Sequence, residues 1–365
     1  MPEVKAFANQ WAQFAEQAGA RNPFTHPDCL IPWAERFLRS SDQIWLLSAW
    51  QQGRLVGVAP FYRRSCRPGL AHSMQLWGTG RNSRLVELPQ LLLDQEQPRA
   101  VARALVSWLC SGESSWDWAV VPLENPLWLE PDWLPGDSEV TVLTKTVRAS
   151  VVLPIAPDSP PPLKRNVRES LRRARNRLDR AYPGEWSVSR TVDRDDLMDA
   201  LEDLAVLHAD RSRMAGKEHH PNALGPAAQW SFLRAWVSAS AERGGACLYR
   251  LVVRGGAIAA LLVLRTQDCT YFLLSGMNEQ SWDFSPTTLL QWCAIEDAVA
   301  LGHRWVNMSA GPDTAKLRWS EQLAKSAEFI LTPDRTWSRI AFAGYWQMSA
   351  AMQLARERNR HTLLP

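Results

Sequence analysis

Apolar positions along this chain switch between short unbroken runs and a spacing of three to four residues, which predict strands and helices respectively. Val4 to Ala18 reads as a helix, and Pro27-Asp28 starts a second one. The apolar runs Ile44 to Trp50 and Arg54 to Tyr62 flank Gln51-Gln52-Gly53, a hairpin signal. Met74 to Trp77 and Glu87 to Leu93 read as short strands. Pro98 to Cys110 is a helix with Val101, Leu105, Trp108 and Leu109 on one face, and Trp118 to Pro122 is a buried strand. The segment PIAPDSPPPL at 154–163 holds five prolines, which lack an N–H and fix φ, so it predicts an extended connector.

The same style returns after the connector. Leu163 to Ala181 is a basic helix and Trp186 to Thr191 a strand. Asp195 to Arg213 is a helix with Leu197, Leu201, Leu204 and Leu207 in phase, and Ala227 to Arg243 is another, ended by Gly244-Gly245. Cys247 to Val253 and Ile258 to Leu264 flank a second hairpin turn, followed by a strand at Thr270 to Ser275. Ser285-Pro286 opens the helix that runs to Leu301, with Ser285 placed as N-cap and Pro286 as N1. Trp305 to Met308 is a strand, Thr314 to Gln322 a short helix, and Ser338 to Asn359 a long final helix. Antiparallel strands thus precede one crossover helix and one further strand, twice, which reads as an internal duplication of a mixed α/β unit.

Composition narrows the classes. With 365 residues, 46% of them hydrophobic and 22% charged, the chain is long enough for about two domains and too apolar to be disordered. Lys and Arg number 41 against 38 Asp and Glu; a net charge of +3 is too small for a dedicated nucleic-acid binder. The six cysteines form no CxxC pair, so they read as thiols of a reducing compartment and no metal site is expected. The N-terminus lacks an apolar h-region, and the longest wholly apolar run is Ala257 to Leu264; a cytoplasmic protein without stable membrane insertion is the expectation. Most of the 19 tryptophans are expected to anchor the core.

In their order, the stretches FTHPDCLIPWAERFL, GRLVGVAPFYRR and LWGTGRNSRLVELPQLLL, then RESLRRARNRL, LHADRSRMAGKE and GGAIAALLVL through GPDTAKLRWS, resemble the cellulose-biosynthesis-type acetyltransferases. That branch of the GNAT superfamily is itself similar to the Fem peptidyltransferases. The resemblance covers roughly residues 20–330. It implies an α/β (mixed α+β) fold of tandem GNAT-like domains, each a mixed, mostly antiparallel sheet flanked by helices. The expected division is an N-terminal, acceptor-side domain at 1–153, the connector at 154–163, an acyl-donor domain at 164–332 and a C-terminal helix at 333–365. The implied activity moves an acyl group, acetyl in the simplest case, from acyl-CoA to an amine or hydroxyl of a small-molecule or saccharide acceptor, without a metal. Two alternatives stay open: a Fem-like transferase using aminoacyl-tRNA, and a binding protein that has lost the donor site.

The candidate donor site is the helix start at Ser285, Thr287 and Thr288, because free N–H groups at a helix N-terminus suit a pyrophosphate. The same residues read equally well as a plain helix cap. The related families place a lysine in the turn matched by GPDTAKLRW; Lys316 takes that position and would stabilise an oxyanion. The segment 207–220 holds His208, Asp210, Arg211, Glu218 and His219, with His208 a candidate base and the others candidate acceptor contacts. Tyr271 is a candidate acid for the leaving thiolate, or a buried structural tyrosine. The basic helix 164–180 carries eight Lys or Arg against two acidic residues; it is a solvated face, or a contact for a carrier protein or tRNA. The final helix, with Trp337, Ile340 and Trp346, is expected to pack on the body or on a sister subunit in a homodimer.

Overall fold

The computed structural model describes the chain apart from residues 19–21, 68–70, 82–83, 112–114, 125–132, 134–139, 158, 160, 215–219 and 362–365. Its elements run α1 (Pro2–Gln17), α2 (Pro27–Phe37), β1 (Gln43–Gln51), β2 (Arg54–Arg67), β3 (Ala71–Leu76), β4 (Leu92–Leu93), α3 (Pro98–Cys110), β5 (Trp118–Glu124) and β6 (Val140–Pro154). There follow α4 (Arg165–Ala181), β7 (Trp186–Thr191), α5 (Arg194–Ser212), α6 (Ala227–Ala241), β8 (Ala246–Val253), β9 (Gly256–Arg265), β10 (Cys269–Met277), α7 (Pro286–Ala300), β11 (Trp305–Ala310), α8 (Thr314–Leu317), β12 (Leu323–Pro333) and α9 (Thr336–His361). The predicted strand at Glu87 to Leu93 shrinks to Leu92–Leu93, because Pro89 has no N–H to donate to a ladder. The predicted helix to Gln322 ends at Leu317. Strands β6 and β12 stand where no strand is predicted. No helix among the described residues is long and apolar enough to cross a membrane.

Contacts divide the chain into two compact units. Unit 1 holds residues 1–38, 78–92 and 148–325; unit 2 holds 39–77, 93–147 and 326–365. In unit 2, β1 and β2 form a hairpin whose turn places Gln52 and Gly53 at positive φ. Strand β3 is antiparallel to β2 and parallel to β5, the helix α3 making the crossover. Strand β12 closes the row, antiparallel to β5. Its core joins Trp118, Val120 and Ile330 to Phe342 of α9.

Unit 1 repeats that order. Strands β7, β8, β9 and β10 are successively antiparallel. Then β10 and β11 run parallel across the α7 crossover, and β6 closes the row antiparallel to β11. Each row is therefore completed by a strand that follows the other half in sequence: β6 follows the first half and β12 the second. Residues 1–38 and 78–92 belong with unit 1, and the 326–333 part of β12 with unit 2, so both units are discontinuous, whereas the sequence analysis expects continuous domains at 1–153 and 164–332 and a C-terminal helix at 333–365.

In unit 1 the odd-numbered residues of β8 and β9, among them Leu251, Leu261 and Val263, pack with Val167, Leu171 and Leu178 of α4 and with Leu289, Leu290 and Ile295 of α7. Side chains alternate across a strand, so Leu248, Leu262 and Leu264 point to the other face, where α5 and α6 lie against the sheet. Helix α5 touches β10 most closely at Gly276. A Cβ there would stand 2.4 Å from the backbone N of His208 and 2.5 Å from the carbonyl carbon of Leu207. Backbone cannot swing aside as a side chain can. Gly276→Ala is expected to cost about 1–3 kcal/mol by overpacking, read as a fall in the urea midpoint; an unchanged midpoint would show that α5 shifts freely on the sheet.

Candidate active site

The parallel pairing of β10 and β11 covers only Cys269 to Tyr271 against Trp305 to Asn307. Beyond it the register of β10 against β9 slips between Phe272 and Leu274, and that of β11 against β6 slips between Asn307 and Ala310. Ser309, in the second irregularity, has φ +73°. Bulges bend a strand and raise its twist, so two neighbours bulged at the same level diverge. A cleft of about 620 Å³ opens there, walled by Phe272 to Ser275 on one side and Met308 to Ala310 on the other. Every residue that lines it belongs to unit 1.

Glu87 sits at the point of divergence. Its Oε2 accepts from the Tyr271 hydroxyl at 2.5 Å and from the Ala310 N–H at 3.0 Å, so one oxygen ties β10 to β11 where their pairing ends. Among the described residues no hydrogen bond is made to Oε1. Burial pushes the Glu87 carboxyl above its ordinary value, against the lowering effects of the Ala310 N–H, the Tyr271 hydroxyl and the Lys316 charge. Burial, reinforced by Glu87, also drives Tyr271 well above the usual phenol range. The phenol is buried beneath the cleft and packs edge-on against Phe24, ring centroids 5.1 Å apart.

Lys316 lies on the wall. Its Nζ donates to the carbonyls of Ala310 at 2.6 Å and Gly311 at 3.0 Å, which holds the last residues of β11 in place. Asp313 caps α8 through the Lys316 N–H at 2.8 Å. Just after α8, Trp319 stacks on Trp292 of α7, with ring planes 9° apart. That stack fixes the turn against α7 and brings Arg318 to the helix start, where its Nη2 donates to the Thr288 hydroxyl. The Arg318 Nε is buried with no hydrogen-bond partner among the described residues.

The start of α7 differs from its sequence expectation in detail. Ser285 adopts a left-handed conformation (φ +49°), and its side chain makes no capping bond; its carbonyl instead accepts from Thr288 N–H at 3.1 Å and Leu289 N–H at 3.4 Å. Ser285, Thr287 and Thr288 all border the cleft.

His208 borders the cleft too, with both ring nitrogens engaged. Nδ1 is 2.9 Å from the Ser275 carbonyl, and Nε2 accepts from the Ala223 N–H at 3.1 Å. That pairing fits a neutral ring protonated on Nδ1, and burial lowers its pKa in the same sense. Arg211 donates to the Ser275 hydroxyl at 2.5 Å and lines the cleft. Asp210 is paired with Arg213 at 2.6 Å and is absent from the lining. Glu218 and His219 lie outside the described residues. Glu87, Ser275 and Arg318 escape the sequence reading. Glu87 is the one carboxylate in the apolar stretch LVELPQLLL, and that isolation is its only local signal.

A second cavity in unit 1, about 400 Å³, lies near Leu264 to Gln267. Its Arg243 is already held by Glu16 at 2.7 Å and Asp28 at 3.0 Å. Among the described residues no group of three or more His, Cys, Asp or Glu side chains is placed to hold a metal ion.

A mixed sheet whose parallel pair splays beside a helix start is the fold of the GNAT acyltransferases. Residues 165–317 match the acetyltransferase (GNAT) domain family. No curated protein matches the chain significantly. Among solved structures the chain is similar to FemX, at 11% identity and TM-score 0.59, covering 88% of this chain and 95% of that one. It is also similar to the C-terminal DUF2156 domain of a protein described as a lysylphosphatidylglycerol synthetase from Agrobacterium fabrum, at 9% identity and TM-score 0.54, covering 93% and 95%. A conserved protein of unknown function from Bacteroides thetaiotaomicron gives 11% identity and TM-score 0.54, covering 90% and 97%. At such identities these likenesses speak for the fold alone.

Proposed function

We propose that this protein transfers an acyl group, acetyl in the simplest case, from a CoA thioester to an amine or hydroxyl of a small-molecule or saccharide acceptor. The observation that carries the reading is the divergence of β10 and β11 beside the α7 start, with Glu87 at the vertex. An extended pantetheine arm fits between strands that have stopped pairing. The N–H groups of the first α7 turn and the Arg318 guanidinium suit the diphosphate. The Arg318 charge is penalised by burial, so an anion beside it recovers what solvent no longer supplies.

In the reaction, the backbone N–H groups around the 272–274 bulge polarise the thioester carbonyl. Glu87 Oε1 takes the proton from the attacking nitrogen or oxygen while Oε2 stays pinned by Tyr271 and Ala310. The nucleophile bonds to the carbonyl carbon, the C–S bond breaks, and the proton held by Glu87 returns to the thiolate. Tyr271 and Lys316 serve as positioning residues, the first through Oε2 and the second through the carbonyls of β11. His208, with both nitrogens occupied, holds β10 and the 221–223 segment together. Within the GNAT fold, the cellulose-biosynthesis-type branch is our placement.

Calorimetric titration with acetyl-CoA and longer acyl-CoAs tests the donor: one site in the micromolar to millimolar range is expected. No heat with any thioester at about 100 μM protein counts against it. The Fem-like reading, with aminoacyl-tRNA as donor, draws on the fold shared with FemX and on the basic helix α4.

A further inference from the structure

We infer that the exposed face of α4 docks a small acidic protein that presents the acyl donor on a phosphopantetheine arm. The inference rests on the transferase reading and names a second source for the same arm. Helix α4 buries one stripe, Val167, Leu171, Ala174 and Leu178, and turns seven arginines outward. Its two acidic residues are already engaged: Glu169 pairs with Arg165 at 2.8 Å, and Asp179 accepts from the Trp186 indole at 2.9 Å. Arg168, Arg172 and Arg180 have no hydrogen-bond or ion-pair partner among the described residues, and the first two stand one turn apart. Like charges at that spacing destabilise a helix. An anionic partner covering this surface would relieve that repulsion.

The place of the helix narrows what that is. α4 packs on α7 and on the turn Glu279–Phe284 that leads into it. Arg177 donates to the Asp283 carbonyl, and the Tyr182 and Phe284 rings lie 5.6 Å apart. The arginines therefore flank the helix start where the phosphate end of a pantetheine arm would enter. Arg318 and the α7 amides already meet a diphosphate, and the outward face of α4 is further charge beyond that need.

Arginine forks suit carboxylates bidentately, as an acidic helix would present them. A 17-residue helix spans about 25 Å, the size of one helix-to-helix contact. The other residues nearly balance in charge: of the net +3, six positive charges fall within 164–180 (eight minus two). Outside the helix the chain is slightly acidic, which disfavours a long polyanion lying across the body, so we commit to the protein partner.

The probe is a small acidic acyl carrier protein loaded with an acetyl-phosphopantetheine arm, titrated against the full chain and against the triple variant Arg168→Glu, Arg172→Glu, Arg180→Glu. The unaltered chain is expected to bind it at low salt. The variant is expected to lose at least about 10-fold in affinity, as is the unaltered chain when salt rises from roughly 50 to 300 mM. The three side chains are exposed, so the variant should keep its melting temperature, and its acetyl-CoA affinity should stay within about 2-fold. No binding of the loaded carrier at low salt, or equal binding by chain and variant, overturns the inference. So does unfractionated tRNA that binds through these arginines when the carrier does not. Failure of acetyl-CoA to bind, read in its own titration, counts against the donor reading and is distinguishable from failure of the carrier contact.

Discussion

Glu87→Gln is expected to lower acyl transfer by about 10²–10⁴-fold, the range for loss of a general base, with little change in acetyl-CoA affinity. Glutamine is isosteric, and its carbonyl oxygen can accept from Tyr271 and Ala310 as Oε2 does. The variant thus separates proton transfer from architecture. Release of free thiol from acetyl-CoA in the presence of an amine acceptor measures it. The pH dependence has a definite sign. Burial raises the carboxyl above its ordinary value, so the basic form is lost, and the rate falls, as pH drops through that raised value.

Stability runs the opposite way. A carboxyl raised in the folded state favours folding below its unfolded value, and the contribution is lost as pH rises through the folded value. Above that folded value the native chain carries the cost of an ionised buried group that glutamine does not. There Glu87→Gln should melt no lower than the unaltered chain. A variant that melts much lower and keeps its rate would make Glu87 a strut between two strands.

Arg318→Ala is expected to weaken acetyl-CoA binding by about 10–100-fold, the equivalent of one charge-assisted hydrogen bond of about 1.5–3 kcal/mol. The control is acetyl-pantetheine, which lacks the diphosphate: its affinity should be the same in chain and variant. The difference between the two ligands assigns the arginine to the phosphates. An equal loss for both would place the fault in the Trp319–Trp292 stack that positions the turn.

The parts of this site visible in the sequence are those with local signals. Ser285-Pro286 marks the start of α7 because proline suits the first helical position. The hairpins show in turn residues at positive φ, Gln52-Gly53 and Arg254-Gly255. Strands β6 and β12 have no hairpin turn of their own. Their partners β11 and β5 lie far away in the chain, so nothing nearby in the sequence points to them. Glu87 is silent for the same reason, since its two partners are 184 and 223 residues away. The base expected at His208 is a residue-type argument, and type alone does not reveal that backbone groups occupy both nitrogens.

The most direct test of the central claim is a crystal structure with a non-hydrolysable acetyl-CoA analogue at saturation. The pantetheine arm is expected between β10 and β11, with the carbonyl oxygen about 3 Å from a backbone N–H near the 272–274 bulge. The diphosphate is expected at Thr287, Thr288 and Arg318. The analogue seated in the cavity beside Leu264 to Gln267, with the β10–β11 cleft empty, would contradict it.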